Sequence, residues 1–164
     1  YVEDIIRKEE PFSEWQIRNI HQLILKNIDD DNAGRYRQQN VLISGATSTP
    51  LDYTLLNDKM VQFVDWYNSE AHKLHPIERA AKVHADFVGI HPFIDGNGRT
   101  SRLLMNLELI KAGYPPCVIT VENRLAYYEA LDQWMAYGKT EAFIHLVSDA
   151  VLEGFKPYQV VLGL

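Results

Sequence analysis

Apolar residues recur at intervals of three and four through most of this 164-residue chain, a helical period that leaves little sequence for a sheet. In "PFSEWQIRNIHQLILKNI", Ser13 and Gln16 stand at capping-box spacing, and Ile17, Ile20, Leu23, Ile24 and Ile28 share one helical face. "TLLNDKMVQFVDWYNSE" repeats the pattern through Leu55, Met60, Phe63, Val64 and Trp66. A further helix is predicted to open at Pro76 in "HPIERAAKVHADFVGI"; "RLLMNLELIKAGYPP" forms another, stopped by Gly113 and the prolines that follow it. Helical spacing returns over 122–137 and 140–155. Two stretches break the period. "DDDNAGRYRQQ" is polar, and "NVLISGATSTP" joins a β-branched run to Gly45 and Pro50, which predicts a small hairpin flap. With no internal repeat, low-complexity tract or linker, the expected architecture is all-α: a compact helical bundle with one small β-hairpin, a single domain over 1–164.

The totals narrow the function. With 46% apolar and 23% charged residues the chain can close an ordinary core, and no run reaches the roughly 20 apolar residues that span a bilayer, so no membrane partner is expected. Its 22 acids against 16 basic residues leave a net charge of -6, which disfavours a nucleic-acid partner and makes any phosphate binding a matter of local placement. Cys117 is the lone cysteine; this excludes an internal disulfide and fits a reducing compartment, so a cytoplasmic location is expected.

The densest chemistry lies in "HPFIDGNGRTSR", residues 91–102, directly before the apolar run "LLMNLELI". Gly96 and Gly98 let the backbone turn and approach a ligand, and a helix starting near Gly98 leaves its first amide hydrogens without internal partners. Such a start attracts anions, and Arg99 and Arg102, three residues apart, converge on the same side of its first turn. Two guanidinium forks suit a polyphosphate. Asp95 would repel that phosphate unless a cation stood between them, which points to Mg²⁺ on hard oxygen ligands. A neutral imidazole at His91 can take a proton from an incoming hydroxyl, and Phe93 and Ile94 are the expected anchors of the loop on the core. Each feature alone is ordinary turn or surface chemistry; together they describe a Mg²⁺-bound polyphosphate beside a base. A zinc site at His75, His84 and His91 is not expected, because no pair has i, i+4 spacing and His75 before Pro76 reads as a helix start.

The same stretch resembles the Fic-family signature HxFx(D/E)GNGRxxR at every fixed position, and the similarity extends through "GRYR", the flap and "LLMNLELIKAGYPP". The resemblance implies a helical bundle with a hairpin flap and a transfer of AMP from ATP to a Ser, Thr or Tyr hydroxyl of a target protein or of the chain itself, with pyrophosphate released. It implies His91 as the base, Asp95 as the Mg²⁺ ligand, and Gly96, Asn97 and Gly98 as the anion hole, with Asn97 also orienting the α-phosphate. Arg99 and Arg102 would hold the outer phosphates. Tyr127 and Tyr128 match a tyrosine pair near the adenine in related proteins, although an aromatic pair on such a helix also reads as core. The flap, about 40–50 with Ile43, Ser44 and Gly45 at its centre, resembles the hairpin that pairs with an extended segment of the target; a plain surface hairpin fits the residues equally.

Many members carry an inhibitory helix of pattern [ST]xxxE[GN], whose glutamate pairs with the second arginine, here Arg102. "SDAVLEG" places Ser148 five positions before Glu153 instead of four, so Glu153 is not read as inhibitory. The implied helix is expected upstream of Tyr1 or supplied in trans, and a homodimer is a further partner the resemblance allows. Two other functions stay open: transfer of another phosphate-containing group or a bifunctional cycle of AMP addition and removal, and, from a different class, a nucleotide sensor without catalysis.

Overall fold

The structure, a computed structural model, describes residues 11–163, so a helix upstream of Tyr1 lies outside it. Helix α1 (Glu14–Leu25) begins in the predicted capping box: the Gln16 N–H donates to Ser13 Oγ at 3.3 Å, and the Ser13 N–H to Gln16 Oε1 at 3.1 Å. It ends before its apolar period does. Asn27 turns left-handed at φ 62, and Leu23 and Ile28, expected on the core face, are exposed. A 3₁₀ turn (Tyr53–Leu55) leads into α2 (Leu56–Ser69), which buries Met60 and Phe63 and leaves Leu55 outside.

Helix α3 (Pro76–Ile90) starts as predicted, with proline in its first turn and the His75 side chain accepting the Ile77 N–H at 3.3 Å. Helix α4 (Asn97–Lys111) begins at the motif and stops ahead of Gly113, whose φ of 81 ends the run. Helix α5 (Arg124–Tyr137) and α6 (Glu141–Leu162) follow, the last running past the predicted end at 155.

Two apolar clusters share the middle pair, α3 and α4. Ala80, Ala81 and Ala85 of α3 face Leu131 and Trp134 of α5 and Phe143, Val147 and Val151 of α6. Val83, Phe87 and Ile90 turn the other way, onto Ile17 and Ile20 of α1 and Met60 and Phe63 of α2. The small residues pack against α5 and α6, and the larger ones against α1 and α2. The connection from α3 to α4, residues 91–96, therefore emerges at the seam between two packed halves.

The hairpin is not seen: among the described residues no strand forms. Residues 40–50 make an irregular loop with one tight turn, in which the Ala46 N–H donates to the Ile43 carbonyl at 3.2 Å and Gly45 takes φ 80. The turn falls where the sequence places it. Its limbs do not pair because the Thr47 N–H is taken by Asp132 Oδ1 at 2.7 Å, and an isolated two-stranded ribbon is marginal in water.

Candidate active site

His91 occupies the C-cap of α3 with φ 53 and ψ 57, a left-handed conformation that non-glycine residues seldom adopt. Its Nδ1 lies 3.1 Å from the Val88 carbonyl, which can only accept, so Nδ1 carries the ring hydrogen and Nε2 keeps a free lone pair. Burial lowers the pKa of the ring from 6.5; the Val88 carbonyl opposes that, Arg37 adds to it and Asp95 opposes it more weakly. The result is a neutral imidazole at physiological pH with its acceptor nitrogen available.

The loop below it is held from three directions. Phe93 is fully buried, whereas Ile94, the other expected anchor, is only half-buried. Asn97 is buried, and its side chain closes on the Phe93 main chain: Oδ1 accepts the Phe93 N–H at 2.9 Å and Nδ2 donates to the Phe93 carbonyl at 2.8 Å. The expected orienter of a phosphate is thus a brace for the loop. Gly96 takes φ 79 at the N-cap of α4, and a Cβ there would lie 3.0 Å from His21 Nε2. Gly98 lies within the helix, where its missing Cβ leaves room for the Arg102 guanidinium, whose Nη1 would be 3.4 Å from it.

His21 is a residue that sequence reasoning missed. Fully buried on α1, it donates from Nε2 to the Asp95 carbonyl at 2.9 Å, accepts the Gly34 N–H on Nδ1 at 2.8 Å and stacks on Phe93. Burial lowers its pKa, and the Gly34 bond requires the neutral ring. Its signal was a polar ring among Ile17, Ile20 and Ile24 on an otherwise apolar face.

The charged groups stand at the mouth of α4. The exposed Asp95 side chain accepts the Gly96 N–H at 2.6 Å and an Arg99 hydrogen at 2.9 Å, so Arg99 is paired and must exchange partners to meet a phosphate. The donor set fits Mg²⁺: one accessible hard carboxylate at a helix start, with no group of three or more His, Cys, Asp or Glu among the described residues to form a protein-only cage. His75 and His84, the other histidines weighed for metal, are engaged elsewhere.

Arg102 opens onto a cleft of about 220 Å³ lined also by Ile119, Val121, Arg124, Tyr127 and Tyr128. The two tyrosines divide their roles. Tyr128 is 54% exposed, with Arg124 5.6 Å above its ring. Tyr127 is buried, and its hydroxyl meets His84 Nε2 at 3.0 Å on the cleft it shares with Arg102. Burial pushes the Tyr127 hydroxyl upward, so it stays protonated beside that guanidinium. Arg124 was not singled out from sequence, although its place four residues before Tyr128 puts both on one face of α5. Glu153 is exposed and paired with Lys156 at 2.6 Å.

A left-handed histidine, a glycine-capped helix start and two arginines on that helix stand together on an all-helical frame. The profile of the Fic/DOC family matches residues 11–109, and the chain belongs to that family. It is 42% identical over 135 residues to "Protein adenylyltransferase Fic" of Drosophila willistoni, covering 81% of this chain and 26% of that protein. The chain thus spans about a quarter of the length of the curated relatives it matches. Among solved structures it resembles C. elegans Fic-1, with a TM-score of 0.81 and 33% identity over 93% of this chain and 44% of that one. A Fic-domain signaling protein from Bacteroides thetaiotaomicron gives 0.83 and 31%, over 93% and 64%.

Proposed function

We propose that residues 1–164 act as one protein adenylyltransferase domain, moving AMP from ATP to a hydroxyl side chain of a target protein. The observation that carries this reading is the His91 ring: Nδ1 bonded to Val88 at 3.1 Å leaves Nε2 as a base directly before an anion-binding helix start. Binding alone has no use for a base, and a sensor would not need that tautomer fixed.

In this reading Nε2 of His91 takes the hydroxyl proton as the oxygen attacks the α-phosphorus in line, and pyrophosphate leaves from the opposite side. The first amides of α4, at Asn97 and Gly98, meet the α-phosphate with the dipole of a 15-residue helix behind them. Arg102 and Arg99 receive the β- and γ-phosphates, Arg99 once it leaves Asp95. Asp95 would hold Mg²⁺, which when bound neutralises charge on the phosphates. Tyr128 offers the exposed aromatic face for the base, with Tyr127 behind it. The target lies along the loop 40–50, where Ile43, Ser44 and Gly45 form the turn that meets its main chain.

The test is transfer of label from ATP labelled at the α- or the γ-phosphate. The reading predicts stable labelling of protein from the α-position only. Labelling from the γ-position would instead establish phosphate transfer, and labelling from neither would leave a nucleotide sensor.

A further inference from the structure

Arg37 is 3% exposed, yet among the described residues its guanidinium is bonded to no carboxylate, and Asp52 acts on it only through its field. Its three hydrogen bonds all end on main-chain carbonyls: Nε to His91 at 2.9 Å, Nη1 to Gln39 at 2.9 Å and Nη2 to Leu51 at 2.6 Å. The Arg37 N–H adds a fourth bond, to the Pro92 carbonyl at 2.9 Å. A buried cation without a bonded counter-ion is a costly way to gain stability, since apolar packing would serve better. A rigid planar fork that joins separate chain segments is what this arrangement supplies.

The identity of those segments gives the arrangement its meaning. Gln39 and Leu51 stand at the two ends of the loop 40–50, and His91 carries the base. His91 sits at φ 53, a conformation that persists only when its surroundings over-determine it. The bond from Arg37 to the His91 carbonyl joins those from the His91 N–H to Phe87 and from its Nδ1 to Val88 in fixing it. The rest of the segment 34–37 braces the same loop. Gly34 bonds His21, which bonds Asp95, and the Tyr36 ring lies 5.4 Å from that of Phe93.

We infer that Arg37 is a positioning residue of this site: one buried guanidinium sets His91 and the target-binding loop 40–50 in a single register, so that base and docked hydroxyl meet. The inference rests on the adenylyltransferase reading for its consequence, while its geometry can be tested without it. Arg37 touches neither nucleotide nor target in this account; it acts through the carbonyls it holds. Nucleotide binding, carried by α4 and the cleft below Arg102, is therefore separable from it.

The test uses Arg37→Lys, which keeps the charge but has no fork for three carbonyls, and Arg37→Gln. With ATP and Mg²⁺, kcat for AMP transfer should fall roughly 10–100-fold, the scale of a small misplacement of reacting groups, while KM for ATP stays unchanged. Amide hydrogen exchange should accelerate together over 40–50 and 91–97. Unchanged kcat, a rise in KM that accounts for the loss, or faster exchange in only one of the two segments would overturn the inference. If the wild type transfers no AMP, the functional reading fails and the exchange arm still decides for or against Arg37. If the variants do not fold, the Nε–H of Arg37 in the wild type should exchange with solvent far more slowly than that of exposed Arg35; equal rates would overturn the inference.

Discussion

The proposed base role asks His91 for two properties that normally exclude each other: a ring buried enough to stay neutral and an acceptor nitrogen left for a substrate. The Val88 carbonyl resolves the conflict by taking the Nδ1 hydrogen, which fixes the tautomer before any ligand arrives. Replacing His91 with Ala should lower AMP transfer by about 10²–10⁴-fold and leave ATP affinity intact, as measured by steady-state kinetics beside calorimetry. Because burial sets the folded pKa below 6.5 and the working form is the deprotonated one, the acid limb of kcat/KM should lie below pH 6.5. An acid limb above that value would contradict the assignment. Gly96 is fixed by both conformation and space. Gly96→Ala must hold a side chain at φ 79 and push against His21 at 3.0 Å, so denaturant titration should show a loss of at least about 1–2 kcal/mol.

Elements explain why some residues were legible and others not. Everything from His91 to Arg102 lies within one loop and the first two turns of one helix, so spacing along the chain reports spacing in space. Arg37 and His21 act across separations of 54 and 74 residues, which no periodicity records. Asn97 shows the opposite limit: its place in the motif says nothing of its amide, which turns onto the main chain of the buried Phe93. Asn97→Ala strands the buried Phe93 N–H and carbonyl and should cost about 1–3 kcal/mol in chemical denaturation. The flap was located but given the wrong form, since β-branched residues around a glycine describe a ribbon only when each limb has the other as partner. Here Asp132 on α5 competes for Thr47. Asp132→Ala should speed exchange of the Thr47 amide without moving the melting temperature, because Thr47 is exposed and Asp132 only half-buried; an unchanged exchange rate would show that the latch holds nothing.

At the scale of the molecule, α3 and α4 are each shared by two cores, and the site occupies the seam where they meet. This arrangement was half visible in the sequence: the alanines of α3 mark one face and its larger residues the other, but which helices cover each face depends on long-range packing. His84 ties the outer core to the site through Tyr127 and Arg102, and burial, aided by Arg102, pushes its pKa down to about 4. Stability should therefore be complete above the unfolded-chain value of 6.5 and fall as pH drops from there to about 4, where the unfolded chain binds a proton that the fold refuses. The loss from this group is on the order of 3 kcal/mol, and His84→Gln should flatten that part of a pH–stability curve. The central claim is that this frame holds His91 as the base for AMP transfer. Intact mass of the purified chain after incubation with ATP and Mg²⁺, beside a His91→Ala control, tests it most directly. A gain of one AMP unit on the chain itself in the wild type alone is the predicted result; an equal gain in both proteins would contradict it.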